Sequence, residues 1–281
     1  MTCRKTFQRE RIIQHKGGIH NPENESLLVK NCHFNKGREK TENNSKPILT
    51  FEQAYAELGF ADSFYLAYRD VPEIIAKFVS GNSALDFGCG GGRSTRFLKS
   101  LGFNTIGVDV NDRFIYEAKQ RDLDGKYKLI KDYSLPFNDR SFDLIFSGIV
   151  FMEISSKDAI IQILNEMKRS LKDEGRIIIL TSTPEAYSND WASFICDFPG
   201  NKNLKSGAKA KALLRGTEVE FSDYVWFDRD YLDVFDKTGL HLLETHKPLA
   251  TVNELYGWRS EMDVPLWVIY VLMKTPSKLE Y

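Results

Sequence analysis

The chain has 281 residues, of which 42% are hydrophobic and 27% charged, and its formal net charge is −1. This composition is typical of a globular protein and excludes collagen-like and low-complexity chains. The longest apolar runs are far shorter than the roughly 20 residues that cross a membrane, so no membrane partner is expected. The charged segment after Met1 predicts no secretory leader. The cysteines are too widely spaced for a disulfide framework or a zinc ribbon, and we expect a cytoplasmic protein; they are Cys3, Cys32, Cys89 and Cys196.

Residues 1–47 differ from the remainder. They carry ten Lys or Arg against five Asp or Glu, whereas the rest of the chain is acidic. They show no sustained hydrophobic period, so we predict a disordered extension. The acidic remainder argues against nucleic acid as a partner. Four residues of the extension fit no standard zinc spacing, so no metal is expected; these are His15, His20, Cys32 and His33.

The predicted folded domain, residues 48–281, opens with a helical cover over residues 51–80. Thr50 and Gln53 form a capping-box pattern at the first helix. From Ser83 onward, strands alternate with helices. The predicted strands are 84–87, 105–110, 127–131, 142–147 and 176–181, and the predicted helices are 93–100, 112–120 and 157–171. Several strands are apolar on both faces, which predicts a doubly wound α/β fold with a mostly parallel sheet and ligands at the carboxyl ends of its strands.

Two later segments, 184–227 and 248–264, interrupt this alternation and are predicted to form a lid over the carboxyl ends of the strands. Between and after them we expect a strand over 218–227, a helix over 228–238, and strands over 240–245 and 266–273. The lid aromatics favour an apolar or aromatic acceptor, although they also suit a lid packed for its own stability; they are Trp191, Phe194, Phe198, Tyr256 and Trp258. The basic run from Lys202 to Arg215 is interpreted as a solvated face, and the alternative is that it serves an anionic acceptor.

A glycine-rich turn follows the first strand, in the pattern Asp86-x-Gly88-x-Gly90-x-Gly92. Glycine allows a sharp turn and a close approach of the backbone to a ligand, and the free N–H groups of the next helix point at that ligand. A dinucleotide-binding G-x-G-x-x-G pattern needs glycine at position 93, where the chain has Arg93. This difference disfavours a nicotinamide oxidoreductase.

The pattern resembles motif I of the class I S-adenosylmethionine-dependent methyltransferases, and in particular the small-molecule enzymes of the ubiquinone/menaquinone-biosynthesis type (methyltransferase type 11). Asp109 ends the second strand, and Asp132 precedes a Leu-Pro-Phe segment that is common in the family. The resemblance implies S-adenosylmethionine as cofactor. It also implies a seven-stranded Rossmann-like sheet with helices on both faces.

The resemblance also assigns roles to residues. It places Asp109 on the ribose hydroxyls, Asp132 on the adenine amino group and Asp86 near the methionine amine. A helix cap, a turn residue and a buried structural acid are the respective alternatives. The whole set that we expect to bind the cofactor is Tyr65, Arg69, Asp86, Gly88, Cys89, Gly90, Asp109, Val110, Asp132, Tyr133 and Ser147.

Three of these positions have further alternatives. Tyr65 or Tyr68 would face the sulfonium cation, but tyrosines at helical spacing also suit an amphipathic core. Arg69 would pair with the carboxylate of the donor. Cys89 is interpreted as a small residue whose backbone matters, not as a nucleophile.

Glu153 follows the fourth strand, where many relatives have histidine, and it is our candidate catalytic residue. It suits a general base, a ligand for an amine acceptor, or an acid favoured by the dipole at a helix start. The sequence thus predicts methyl transfer to a small apolar or aromatic molecule by a monomer or homodimer. The alternatives are a methyltransferase acting on protein or RNA and a catalytically silent cofactor-binding module.

Overall fold

The computed structural model describes residues 50–217 and 219–275. The extension predicted at residues 1–47, with its histidines and two cysteines, lies outside the described residues. The part that is described contains seven α-helices, none long and apolar enough to cross a bilayer. They are α1 (Phe51–Ala56), α2 (Ser63–Arg69), α3 (Val71–Phe78), α4 (Arg93–Ser100), α5 (Asp112–Arg121), α6 (Lys157–Ser170) and α7 (Asp228–Lys237).

Within the described ranges, ten strands form two sheets. They are β1 (Ser83–Phe87), β2 (Asn104–Asp109), β3 (Lys126–Leu129), β4 (Phe142–Gly148), β5 (Leu171–Ser182), β6 (Phe194–Ile195), β7 (Lys209–Leu214), β8 (Glu220–Tyr224), β9 (Leu240–His246) and β10 (Trp267–Lys274).

The larger sheet has seven strands in the order β3-β2-β1-β4-β5-β10-β9. The first five strands of this order run parallel, and β10 runs antiparallel to both of its neighbours. The chain order reverses between β1 and β4, and open α/β sheets bind their ligands in the crevice at such a switch point. The predicted doubly wound, mostly parallel α/β fold is confirmed.

Both faces of this sheet are buried because neighbouring residues on each strand belong to different cores. Ala84 packs with α2, α3 and α4 on one face, whereas Leu85 packs with α6 and α7 on the other. Ile178 and Ile179 divide between the two cores in the same way. This arrangement explains why the central strands are apolar at every position.

The second sheet is small, antiparallel and ordered β6-β7-β8. Strand β7 lies in the run that was interpreted as a solvated basic face. Its lysines at 209 and 211 are exposed, while Ala210 and Ala212, which alternate with them, are buried. Long charged and small apolar side chains alternate along this segment, and the segment therefore forms a strand with one solvated face and one buried face.

Two element boundaries also differ from the prediction. Strand β8 covers only residues 220–224 of the predicted 218–227. Strand β5 begins at Leu171, which was predicted to end the preceding helix. Helix α6 ends one residue earlier, and Leu171 pairs with Phe142 of β4.

Candidate active site

The glycine loop after β1 is fixed by its own backbone. Gly88, Gly90 and Gly92 have positive φ angles of 71°, 49° and 80°, which side chains rarely tolerate. A Cβ atom on Gly88 would lie 2.4 Å from a methyl carbon of Val150, whereas one on Gly90 would have no neighbour within 4 Å. The loop therefore packs tightly at its base and leaves open space in front of Gly90.

Asp109 links this loop to the end of β2. Its Oδ2 accepts a hydrogen bond from the Gly90 N–H at 2.8 Å, and its Oδ1 accepts one from the Asn111 N–H at 2.9 Å. Burial raises the pKa of its carboxyl group. The alternative role, capping helix α5, is filled by Asn111, whose side chain accepts from the N–H groups of Arg113 and Phe114. A carboxylate accepts up to about four hydrogen bonds, so Asp109 retains capacity for a ligand.

A cavity of about 260 Å³ lies in front of the loop, at the carboxyl ends of β1, β2 and β4. We call it the donor cavity. Among the residues expected to bind the cofactor, those that line it are Gly88, Cys89, Gly90, Asp109, Val110 and Tyr133.

Asp86 and Ser147 lie beneath the loop, outside that lining. The Asp86 Oδ2 accepts hydrogen bonds from Ser94 Oγ at 2.7 Å and Thr95 Oγ1 at 2.6 Å. Its other oxygen is buried without a hydrogen-bond partner in the described structure, and burial raises the pKa of this carboxyl to about 6. The Ser147 hydroxyl donates to the Phe87 carbonyl at 3.1 Å. Both side chains support the loop.

Asp132 is exposed and has a positive φ of 50°. Its carbonyl accepts a hydrogen bond from Gln162 at 2.8 Å. The side chain does not line the donor cavity, although Ile130 and Tyr133 on either side of it do.

Tyr65 and Arg69 also lie away from the donor cavity. The ring of Tyr65 lies 5.0 Å from that of Tyr256, between centroids. Arg69 forms ion pairs of 2.7 Å with Asp70 and with Glu254. These contacts join helix α2 to the 248–264 segment. Tyr68, the other tyrosine considered for the donor, does line the cavity.

Arg93 is the first residue of α4, and it lines the donor cavity. In the sequence it served only to exclude the dinucleotide pattern. Its guanidinium donates to the Gly59 carbonyl at 3.2 Å. It lies 4.5–5.9 Å from the ring centroids of four aromatic residues, namely Tyr55, Phe60, Phe64 and Tyr68. The described residues provide it with no ion pair to an acid, so it is a cation available to a ligand.

A second cavity, of about 290 Å³, adjoins the first. We call it the acceptor cavity. Eight aromatic side chains line it: Phe51, Tyr55, Phe64, Tyr187, Trp191, Phe194, Phe221 and Trp267. The 184–227 segment supplies Trp191 and Phe194 as anticipated, but Phe198, Tyr256 and Trp258 of the predicted lid do not line it. Four residues border both cavities, and these are Phe51, Tyr55, Ile149 and Glu153.

Glu153 ends a short 3₁₀ helix after β4. The residue is exposed where it borders the two cavities, although protein atoms surround much of its side chain. Burial raises the pKa of this carboxyl to about 8, and the nearby charges of Asp223 and Asp109 add to the effect. None of the described residues forms a hydrogen bond with the Glu153 carboxylate. The group is thus positioned to interact with a ligand.

Asp223 of β8 is a second acid in the acceptor cavity, and it was missed in the sequence. It accepts a hydrogen bond from Tyr187 Oη at 2.9 Å, and burial raises its pKa to about 7. A signal was present. Positions 219, 221 and 225 were interpreted as the apolar face of a strand, and Asp223 shares their alternation. An acid on a buried face is uncommon unless it has a specific role.

Comparison with known proteins agrees with this geometry. Residues 85–179 match the methyltransferase type 11 family model, described as a methyltransferase domain. A crystal structure titled as an S-adenosylmethionine-dependent methyltransferase from Mesorhizobium loti is 15% identical, with a TM-score of 0.56, and covers 73% of this chain and 97% of its own. This likeness shows the fold.

Two curated relatives are similar in sequence. A demethylmenaquinone methyltransferase from Thermotoga maritima is 33% identical over 118 residues, which are 41% of this chain and 50% of that protein. An N-demethylindolmycin N-methyltransferase from Streptomyces griseus is 24% identical over 162 residues, which are 56% of this chain and 68% of that protein. The chain spans about half the length of several curated relatives that it matches.

The fold and the glycine loop thus define a class I S-adenosylmethionine-dependent methyltransferase domain. Residues 85–179 resemble the type 11 methyltransferase domain, and this similarity together with the fold implies S-adenosylmethionine as the cofactor.

Proposed function

We propose that this protein transfers a methyl group from S-adenosylmethionine to a small molecule bound in the acceptor cavity. The observation that carries the proposal is the shared wall of the two cavities. Glu153, Phe51, Tyr55 and Ile149 border both of them, so molecules in the two cavities would meet at these residues. S-adenosylmethionine supplies an activated methyl group on a sulfonium centre.

The donor cavity fits this cofactor. The open space in front of Gly90 admits a ligand against the backbone, and Asp109 offers carboxylate oxygens to the ribose hydroxyls. Arg93 lines the cavity and supplies a cation for the methionine carboxylate, because no carboxylate of the described residues forms an ion pair with it. The unpartnered Asp86 oxygen lies beneath the loop as a further acceptor. In this proposal Asp109 serves the ribose and Arg93 serves the methionine carboxylate, and both residues line the donor cavity.

The residues of the chain contribute mainly alignment. Holding two reactants in contact removes much of the entropic cost of a bimolecular step. Helix α1 assists by covering the junction, since Phe51 and Tyr55 stack on each other and both meet the Phe114 ring of α5 edge to face, with centroids 5.7–6.1 Å apart.

Replacing Arg93 with lysine is expected to weaken donor binding about tenfold. Lysine keeps the charge but loses the planar guanidinium that binds a carboxylate through two hydrogen bonds. Titration calorimetry with S-adenosylhomocysteine measures the affinity. Arg113→Lys is the matched control, because the Arg113 side chain is 72% exposed and outside the cavity lining. Equal affinity of Arg93→Lys and the parent would contradict the role of Arg93.

Filling the acceptor cavity tests the proposed function itself. Ala212 lines this cavity and is buried on β7. Ala212→Phe is expected to lower the turnover of small acceptors at least about tenfold while donor binding is unchanged, because the added ring occupies the space of the acceptor. Lys211→Met, on the exposed side of the same strand, is the control. Unchanged small-molecule turnover by Ala212→Phe, or turnover only of protein or RNA by the parent, would refute the proposal.

A further inference from the structure

The charge of the acceptor cavity restricts what it can hold. Its described lining contains two carboxyl groups, Glu153 and Asp223, and no lysine, arginine or histidine. The rest of the wall is apolar or aromatic, apart from the polar side chains of Ser182, Ser222, Cys196 and the tyrosines. An anionic acceptor would meet two acids and no counter-charge in a poorly hydrated space, which is strongly unfavourable.

The two acids also differ in how they are held. Asp223 is fixed by Tyr187, whose hydroxyl lies 3.0 Å from Ser182 Oγ. Glu153 has no such partner among the described residues and borders the donor cavity as well. Asp223 can therefore anchor a positive charge, whereas Glu153 lies where the methyl group is transferred.

We propose that the acceptor carries a basic amine on an apolar or aromatic body, and that the amine nitrogen is the atom that is methylated. This inference rests on the proposed function. An ammonium group inside an apolar cavity needs an anionic partner, and both carboxyl groups supply one. The aromatic faces of the wall also attract a cation. Burial holds the pKa of both acids near or above neutral in the empty cavity, and a bound ammonium reverses that effect.

The reaction balances with one proton released. The bound ammonium gives a proton to the Glu153 carboxylate, which frees the lone pair of the nitrogen. That lone pair forms the new N–CH₃ bond as the S–CH₃ bond breaks, and the electron pair of the broken bond stays on sulfur. The products are S-adenosylhomocysteine and the methylated ammonium, and Glu153 returns its proton to solvent. No oxidant, reductant or metal takes part in this balance.

Matched pairs of compounds test the inference. The probes are tryptamine and phenethylamine, with the alcohols indole-3-ethanol and 2-phenylethanol as neutral counterparts of the same shape. Each is titrated calorimetrically into the full chain loaded with S-adenosylhomocysteine, and each is assayed for turnover with S-adenosylmethionine. We expect the amines to bind at least about tenfold tighter than the alcohols. Amine binding should also release protons, which appears as heats that differ between phosphate and Tris buffers.

The preference for amines should disappear in the double variant Glu153→Gln, Asp223→Asn. The control Glu220→Gln removes an acid from the solvated side of β8 and should keep the preference, because Glu220 pairs with Lys211 outside the cavity. Equal or tighter binding of the alcohols would overturn the amine inference and leave a small-molecule methyltransferase in place. Failure of every compound to bind or react, while a macromolecular substrate is methylated, would instead refute the proposed function.

Discussion

Replacing Glu153 with glutamine is expected to lower kcat by about 100-fold or more, since general bases typically contribute 10²–10⁴. Glutamine has nearly the same size and polarity, but it cannot accept the proton that the acceptor loses. Donor affinity should change little, because the donor contacts that we propose are made mainly by Asp109, Arg93 and the glycine loop. Steady-state kinetics with the amine acceptors, alongside calorimetry with S-adenosylhomocysteine, separates the two effects.

The pH dependence provides the second readout for Glu153. Its pKa is raised to about 8, so the carboxylate form that accepts a proton increases as the pH rises through 8. The value of kcat/KM should rise over the same range, and this rise should be absent in Glu153→Gln. The other titratable groups that act on Glu153 are Asp223, whose pKa is raised to about 7, and Asp109 and Tyr55, whose pKa values are both raised above their usual values by burial. Asp223→Asn should therefore retain the rise near pH 8, shifted to lower pH by the loss of a neighbouring negative charge.

Glu153→Gln also has a predictable effect on stability. A carboxyl whose pKa is raised in the folded state binds protons more tightly there than in the unfolded chain. Its favourable contribution is therefore present at low pH and is lost as the pH rises through the folded-state pKa of about 8. At pH 9 the glutamine variant should melt at the same temperature as the parent or higher. Full parental kcat in a well-folded Glu153→Gln protein would show that Glu153 is not the base.

Replacing Asp109 with alanine is expected to weaken donor binding by about 100-fold or more. A hydrogen bond to a charged group contributes roughly 1.5–3 kcal/mol, and two ribose hydroxyls would lose such a partner. The substitution also frees the Gly90 and Asn111 N–H groups that Asp109 holds, so the glycine loop loses its fixed position. Calorimetry with S-adenosylhomocysteine measures the loss.

Two companion variants refine the Asp109 experiment. Asp109→Asn keeps one oxygen and should give an intermediate loss. Asp112→Asn removes an exposed acid three residues later, in the first turn of α5, and should bind like the parent. If Asp109→Ala binds the donor as the parent does, the ribose is held elsewhere. A melting curve shows whether the variant remains folded.

The sequence was sufficient to predict the larger sheet because each of its seven strands has a recognisable apolar pattern. The central strands carry apolar residues on both faces, such as Leu85 on one face of the sheet and Ile178 on the other. Helices with a regular hydrophobic period separate these strands along the chain. The glycine loop was equally clear, since its spacing follows from the backbone that the turn requires. Strand β7 was not predicted, because the charges of Lys209 and Lys211 suggest a solvated loop. The alternating small alanines were the signal for a strand with one buried face.

The candidate site was harder to predict from the sequence than the fold, because it depends on contacts between residues that are far apart in the chain. Tyr65 and Tyr68 lie on one short helix, and only the packing of that helix decides which ring meets the donor cavity. Arg69 forms an ion pair with Glu254, which is 185 residues away in the sequence. Nothing in the residues around Arg69 therefore indicates this contact with the 248–264 segment. The sequence shows Arg93 and Asp223, but it does not show which residues surround them in the fold. Each becomes a candidate only when its neighbours are known.

Helix α1 has a consequence for the order of events in each catalytic cycle. Phe51 and Tyr55 of this six-residue helix form part of the wall of both cavities. A displacement of α1 would therefore widen both cavities together. The helix is short and Phe51 is 40% exposed, so its opening is inexpensive compared with unfolding of the sheet. Release of the methylated product and of S-adenosylhomocysteine should consequently share one rate-determining motion, and variants that loosen α1 should accelerate both departures by the same factor.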